Sequence, residues 1–325
     1  MRLTLRAALL AVPIGLATAA AALAGNGGTA PPQPQSPNTA AIRDTYWLIL
    51  GITGVIFVLV EGALIFFVVK YRRGRRARTT DGAQVHGNTR LEIGWTVVPV
   101  LLVATIIGYV FANLPDITNV PKATAANTLN VTVEGHQFYW LFRYPDGRVS
   151  IDTMVVPVNT VVNETVVGLD VMHGWWIPEL SPQIDAIPGR INHQWFKAEK
   201  IGLYKGQCTQ LCGVMHAEMA GAIKVVTRDR YRAFLATHAP GSRAVAAEAY
   251  VGVCSKCHGM NGVGAYGPPL QNRAFETSDI TRLFREGRTT ALGHMPAVGS
   301  NWTAAQITAM IHYLRQTKGG AALGG

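Results

Sequence analysis

Two cysteines, a histidine and a methionine crowd into one short stretch, Gly206-Gln-Cys-Thr-Gln-Leu-Cys-Gly-Val-Met-His-Ala-Glu-Met219. Thiolate and thioether are soft donors that favour copper, and zinc sites have little use for a methionine. A mononuclear blue-copper site needs a single cysteine. The second thiolate, four residues on, lets both sulfurs bridge two copper ions, each of which then requires its own imidazole and a weak axial donor. Cys208, Cys212, His216 and Met219 therefore read as most of a dinuclear copper site with one imidazole still to be found. His173 is the best candidate, because in Asp170-Val-Met-His-Gly-Trp-Trp-Ile-Pro178 it follows an alternating apolar run where a strand gives way to a loop. Two other readings stand beside this one. A structural Cys2His2 zinc site leaves Met219 without a role, and a Cys208–Cys212 disulfide suits an oxidising compartment but leaves His216 and Met219 unexplained.

The other two cysteines form a second chemical cluster, Cys254-Ser-Lys-Cys-His258. Cys-x-x-Cys-His attaches a c-type haem through two thioethers, with the histidine as proximal ligand. A thioredoxin-like pair or half of a zinc site is the competing reading. Against it stand the directly following histidine, the Gly267-Pro-Pro-Leu270 segment and a methionine, Met295, in Gly293-His-Met-Pro296 where a distal haem ligand is needed. His294 competes with Met295 for that position. With both clusters assigned, all four cysteines of the chain have metal or haem duties and none is left for a structural disulfide.

These sites must be held by elements that the hydropathy pattern separates clearly. Residues 1–24 have basic Arg2 and Arg6, an apolar core and a small-residue end, the layout of a secretory signal peptide. Residues 25–41 are rich in Gly, Pro, Gln and Asn and read as a flexible lead-in. A transmembrane helix hairpin is expected over 42–118, with spans at about 46–69 and 95–114. Lys70, Arg72, Arg73, Arg75, Arg76 and Arg78 crowd the loop between the spans, so the loop is cytoplasmic and both ends of the hairpin face outwards. Much of the formal net charge of +10 is thus a topology signal. Because the basic run abuts a membrane helix and lacks interleaved stacking aromatics, a nucleic-acid partner is excluded. Neither span contains a histidine, so haem or copper inside the bilayer would belong to a partner. Glu61 and Glu92 are costly near lipid and imply a neighbouring subunit.

Residues 127–228 change to short alternating strands with turns such as Pro145-Asp-Gly147, which predicts a small antiparallel sandwich or barrel. Expected strands are 129–134, 136–144, 160–169 and 223–226. A linker at 238–243 leads to an all-helical segment, 244–317. Its closing helix, Thr303 to Gln316, carries Ile307, Ile311 and Leu314 on one face and is expected to pack on the helix around Tyr250. A flexible tail, 318–325, follows.

At this level the chain resembles subunit II of haem-copper cytochrome c oxidase over about Ile42 to Thr227. The residues that carry the likeness are Gly206-Gln-Cys-Thr-Gln-Leu-Cys-Gly213 with His216 and Met219, Asp170-Val-Met-His173, Gly135-His-Gln-Phe-Tyr-Trp140, Asp185-Ala-Ile-Pro-Gly-Arg190, and Glu92-Ile-Gly-Trp95 to Pro99. Residues 244–317 resemble class I cytochrome c. The resemblance implies a cupredoxin-like sandwich carrying a dinuclear CuA centre, with His173, Cys208, Cys212, His216, Met219 and the backbone carbonyl of Gln210 as ligands. It also implies one covalently attached haem c held by Cys254, Cys257, His258 and Met295. Most relatives have glutamate where Gln210 stands, and its side chain reaches a magnesium site shared with subunit I. A neutral amide is a poorer ligand for a hard cation. Glu92 matches a glutamate at the mouth of a proton path, while a carboxylate at a helix start is its other reading.

Phe138, Tyr139 and Trp140 match the family's electron-input segment, where the first aromatic is usually tryptophan. Phe138 in that place, with Arg143 close behind it, is expected to weaken docking of a basic soluble donor, and tethering through the linker to compensate. The expectation is an electron-input subunit of a proton-pumping oxidase in a bacterial inner membrane, with both cofactor domains on the periplasmic side. Its partners would be subunit I with haem a, subunit III and a membrane-bound or soluble upstream donor. A CuA-bearing nitric oxide reductase and a membrane-anchored electron carrier or copper-handling protein are the alternatives.

Overall fold

The computed structural model of the chain describes residues 31–72, 84–122, 124–290 and 293–321. The expected signal peptide, most of the basic loop and residues 322–325 lie outside the described residues. Two compact units emerge, one containing Ala40–Ile117 and one containing Pro32–Thr39 with Thr118–Gly325.

The first unit is built on two long helices, α1 (Pro37–Tyr71) and α2 (Thr89–Thr118), both long and apolar enough to cross a membrane. They extend beyond the expected spans at both ends because the polar flanks continue the same backbone hydrogen bonding. α2 starts with Asn88, whose Oδ1 accepts from Leu91 N (3.2 Å), while Glu92 Oε1 accepts from Asn88 N (3.0 Å). This reciprocal pair satisfies donors that a helix start leaves unpaired.

In the second unit, ten strands form two five-stranded sheets. One runs in the order β3 (Val149–Ile151), β2 (Tyr139–Arg143), β1 (Thr128–His136), β5 (Val161–Gly168), β8 (Asn192–Lys197). The other runs β4 (Thr153–Pro157), β10 (Ala220–Val226), β9 (Gly202–Cys208), β6 (His173–Trp176), β7 (Ile184–Ala186). The sandwich is not purely antiparallel: β1 pairs parallel with β5, and β10 pairs parallel with β4. Alternation within a strand reports which face is buried but carries no information on the direction of its neighbour. His136 closes β1 instead of opening the next strand. Between the sheets lies a core of Val133, Trp140, Phe142, Met154, Val162, Trp175 and Ile223, all fully buried.

The segment before α1 is anchored for part of its length. Gln35 N donates to Glu179 O, Glu199 N to Gln35 O, and the Asn38 amide to Trp195 O (2.6 Å), while residues from Pro37 on are already helical. Residues 25–30 of the expected lead-in lie outside the described residues, and from Gln35 on the chain is held by these bonds.

Helix α3 (Arg228–Thr237), capped by Thr227, follows the sandwich. The expected linker is a packed corner. The His238 ring lies 4.0 Å from that of Phe234, its Nε2 is 3.1 Å from Glu248 Oε1, and Ser242 Oγ caps the next helix. That helix, α4 (Arg243–Ala249), continues without a break through a wider π-wound turn (Tyr250–Cys254) into Ser255–His258. α5 (Thr277–Glu286), a short ribbon of β11 (Arg288–Thr290) with β12 (Gly293–Met295), and α6 (Ala304–Gln316) complete the domain. α6 packs on α4, with the Tyr250 and Tyr313 rings 5.8 Å apart, as the apolar spacing predicts. The start of the tail is also held: Tyr250 Oη donates to Gly319 O and Ala321 N to Met260 O.

A second hydrophobic core does not respect the domain boundary. Tyr139, Leu141, Val149 and Ile151 from the outer face of the first sheet are buried together with Val245, Ala249, Phe284, Trp302 and Ile311 of the helical domain. Burying such side chains contributes about 1.5–3 kcal/mol each. The helical domain is consequently docked on the sandwich and not merely tethered to it.

Candidate metal centre and haem pocket

The residues of the copper motif converge at one end of the second sheet. β6 begins at His173 and β9 ends at Cys208, and Trp175 pairs directly with Cys208, so the two strands bring these ligands side by side. Thr209 N then donates to Gly174 O and Cys208 N to Met219 O, closing the loop that carries the remaining ligands. Cys208 Sγ and Cys212 Sγ stand 4.0 Å apart. His173 Nδ1 is 4.0 Å from the first sulfur and His216 Nδ1 3.6 Å from the second. The Gln210 carbonyl lies 3.2 Å from Cys208 Sγ and Met219 Sδ lies 3.7 Å from Cys212 Sγ. Two sulfurs, each flanked by one imidazole nitrogen and one weak donor, match what a thiolate-bridged pair of copper ions requires. Cys208, Cys212, Met219 and His173 are buried, and His216 is half-buried.

The surroundings hold these ligands in place. His173 Nε2 bonds to Asp170 Oδ1 at 2.8 Å, which leaves Nδ1 facing the sulfurs. Asp170 also accepts from the backbone of Gln137 and Val171, both at 2.6 Å. Burial works against the Asp170 carboxylate, but the hydrogen bonds from His173 and the two amides win and lower its pKa. Within the thiol pair Cys208 is the more acidic, first through the hydrogen bond from Cys212 and, against burial, through His173. The Gln210 side chain turns away, its amide 3.2 Å from Asp185 Oδ1.

In the helical domain, Cys254, Cys257, His258 and Met295 line one cavity of about 820 Å³. His258 Nδ1 is 2.6 Å from Pro268 O, so this nitrogen donates and Nε2 is left to coordinate. Burial disfavours the imidazolium of His258, keeping the ring in the neutral form that binds a metal. Gly267 packs so close that a Cβ there would sit 2.9 Å from the His258 ring. Met295 and His294, neighbours on β12, both line the cavity; His294 is the more exposed of the two and its Nδ1 lies 3.0 Å from Thr289 Oγ1. The cavity's size, its two thiols and its fixed imidazole fit a covalently attached haem.

Tyr139 and Trp140 open β2 and point to opposite faces, as strand geometry requires, while Phe138 sits in the turn before it. Trp140 points into the sandwich, its ring 5.8 Å from that of His173. Tyr139 points into the shared core, where its hydroxyl donates to Val298 O (2.7 Å) and accepts from Trp302 Nε1 (3.0 Å). Gln137 and Phe138 line the haem cavity. They also reach the copper loop: Gln137 Nε2 donates to Cys212 O at 2.6 Å, and a Cβ at Gly213, which has φ +135°, would lie 2.9 Å from the Phe138 ring. Arg143 is paired with Glu134 (2.8 Å and 3.1 Å), which compensates part of its charge locally. The roles of Gln137, Asp170 and Pro268 escape a reading by residue type. Only the three-residue spacing of Asp170 and His173 hints at one of them.

Comparison with known proteins agrees with this geometry. Family models match residues 29–112 (cytochrome c oxidase subunit II, transmembrane domain) and 148–226 (its periplasmic domain). A relative from Alkalihalophilus pseudofirmus, cytochrome c oxidase subunit 2, is 31% identical over 315 residues, covering 88% of this chain and 90% of its own. The chain belongs to the cytochrome c oxidase subunit II family. Residues 242–314 match the model for cytochrome c oxidase, cbb3-type, subunit III, adding a cytochrome c domain. Cytochrome c oxidase subunit 2 of Cereibacter sphaeroides is 31% identical over 248 residues, 64% of this chain and 80% of its own. Among solved structures, the periplasmic domain of subunit II of cytochrome oxidase from Bradyrhizobium japonicum is 39% identical, covering 37% of this chain and 96% of its own with a TM-score of 0.34. Membership of the family makes this chain a membrane-anchored subunit with a periplasmic domain.

Proposed function

We propose that this subunit II is the electron-input chain of a respiratory cytochrome c oxidase. Electrons enter at a haem c in the helical domain, pass to a dinuclear CuA centre and leave for haem a in subunit I, where O2 is reduced to water with proton translocation. The observation that carries this reading is the Gln137–Phe138 segment, which lines the haem cavity and is hydrogen bonded to Cys212 of the copper loop. When bound, the haem and the copper pair supply reversible one-electron chemistry at metals that barely move.

The protein's part is positioning. His173, Cys208, Cys212, His216, Met219 and the Gln210 carbonyl would hold the coppers. Asp170 fixes the His173 ring and excludes the wrong tautomer. Cys254 and Cys257 would attach the haem, His258 bind it proximally through Nε2 and Met295 distally. Gln137 ties the wall of the cavity to Cys212 and, through its backbone, to Asp170. Glu92 remains a candidate for the mouth of a proton path, although its carboxylate already closes the start of α2. Subunit III and a membrane-bound or soluble donor complete the proposed partners, in a bacterial inner membrane.

The test is the composition of the detergent-solubilised complex isolated through this chain. Haem c, two coppers in this subunit, haem a and oxygen uptake are expected. Haem b with nitric oxide consumption, or no membrane haem at all, would replace this reading with one of the alternatives.

A further inference from the structure

One face of the haem-attachment helix carries an unusual series at i, i+4 and i+8: Glu248, Gly252 and Lys256. All three meet the same corner of the sandwich, the turn at Ile151 and Asp152 between β3 and β4. Glu248 Oε2 accepts from Ile151 N at 3.0 Å. At Gly252 the helix backbone comes so near that a Cβ would lie 2.8 Å from both Asp152 Oδ2 and the Ile151 side chain. Lys256, between the two haem-attaching cysteines, donates to Asp152 Oδ2 (2.7 Å) and to the Phe138 carbonyl (2.9 Å). Asp152 is itself fixed, its Oδ1 accepting from Trp140 N at 2.9 Å and its φ of +55° marking a position set by the surroundings. The ion pair is largely withdrawn from water, with side-chain exposures of 15% and 21%.

We propose that this stripe is a latch, and that Lys256 is a positioning residue which holds the haem-attachment helix at one fixed place against Phe138. The proposal rests on the electron-input reading and adds what sets the haem-to-copper geometry. A shared apolar core is non-directional and tolerates sliding, whereas a charge pair plus a backbone bond fixes register. Lys256 is one residue from Cys257 and bonds to the carbonyl of Phe138, so both ends of the contact belong to the cofactor segments. The domains are in this view a preformed complex. Linker length does not set the transfer rate; the docked geometry does.

The experiment uses the full-length chain in its complex. After photoreduction of the haem, one electron leaves ferrous haem and reduces the copper pair, and both absorbance changes are followed. In the wild type the rate is expected to be independent of ionic strength, because the pair is buried and intramolecular. Asp152→Asn lies outside the attachment motif, and Lys256→Met removes the other partner. Each is expected to slow the transfer on the order of tenfold through loss of alignment. Haem and copper spectra should be unchanged, and the reduction potentials are measured in each variant so that a change in driving force is separated from a loss of alignment. Lys256→Arg should restore most of the rate, which a purely structural contribution to stability would not require below the melting temperature. Gly252→Ala should slow transfer without altering charge. As a readout independent of the metals, amide exchange in 138–141 and 149–152 should rise in Asp152→Asn and Lys256→Met. A rate within about twofold of wild type in both variants, with unchanged exchange, overturns the latch. Absence of haem c or of the two-copper signal in the wild type is a failure of the electron-input reading, and the exchange result then decides on the latch alone.

Discussion

The copper loop and the haem pocket solve the same problem, holding a redox centre still, in opposite ways. At the copper loop the protein is complete by itself. Ligand atoms stand within about 4 Å of their neighbours, and the strands that bring them there belong to a continuous sandwich core. In the helical domain the candidate ligands line a cavity of about 820 Å³, and Met295 sits on a three-residue strand whose partner, β11, is exposed. The sandwich gathers its candidate ligands at the end of a filled core, whereas those of the helical domain line a cavity beside the core that domain shares with the sandwich. Copper affinity should therefore depend on individual ligands, and cytochrome folding on the haem as a whole.

The largest effect that tests this contrast is loss of the haem. An unfilled, largely apolar cavity of this size leaves the side chains around it without packing partners, which disfavours the folded haem-free domain. The double variant Cys254→Ala, Cys257→Ala should leave the helical domain unfolded, seen as lost helical circular dichroism and proteolysis after Thr237. The copper signal should persist. Loss of both together would mean that the sandwich also depends on the docked domain.

Next in size is the copper pair. Cys212→Ser removes one bridge and should abolish the two-copper hyperfine pattern in electron paramagnetic resonance. Gln210→Ala should retain it, since in the proposed centre the main chain is the donor and the side chain is engaged with Asp185. Equal loss in both variants would remove the distinction between the carbonyl and the side chain.

How far each region is legible in the sequence follows the same contrast. Cys208, Cys212, His216 and Met219 fall in one loop, and Cys254, Cys257 and His258 in one helical turn, so residue type and spacing suffice. His173 and Met295 are far away in sequence but stand in short segments with few rival ligands. The parallel pairing of β1 with β5 and the docking of Tyr139 and Ile151 on the cytochrome core involve partners chosen by tertiary packing, which local periodicity does not record. The linker reads as loose because Ala239, Pro240, Gly241 and Ser242 are turn formers. Its order comes from His238 and Glu248, ten residues apart.

A smaller effect should follow from the orientation of His173. Asp170→Asn keeps the shape but replaces one acceptor by an amide that cannot pair with both the His173 ring and the Gln137 and Val171 N–H groups. Such outer contacts typically tune metal affinity about 10- to 100-fold. Competitive copper titration should show a loss in that range with the two-copper signal still formed. An unchanged affinity would mean that strand pairing alone fixes the ring.

The smallest expected effect concerns a liability that accompanies the preformed sandwich. Glu164, 1% exposed, lies inside the sandwich, its carboxyl accepting from Trp175 Nε1 (2.9 Å) and Gln194 Nε2 (2.7 Å). Burial outweighs both hydrogen bonds and raises its pKa from 4.5 to about 7. Gln194 Oε1 is buried without a partner, and rotating that amide would let it accept from a protonated Glu164. Between these two values the folded chain holds a proton that the unfolded chain has released, so stability falls as pH rises from about 4.5 to about 7 and stays lower above it. The full shift corresponds to about 3 kcal/mol. Glu164→Gln removes the titration but must place one amide N–H against Gln194, so a net gain of about 1 kcal/mol at pH 8 is expected. Copper-domain melting, followed by the copper absorbance, should then lose its decline between pH 5 and pH 8 while the haem absorbance transition keeps its own pH profile. An unaltered decline in the variant would assign the pH dependence to groups other than this buried carboxyl.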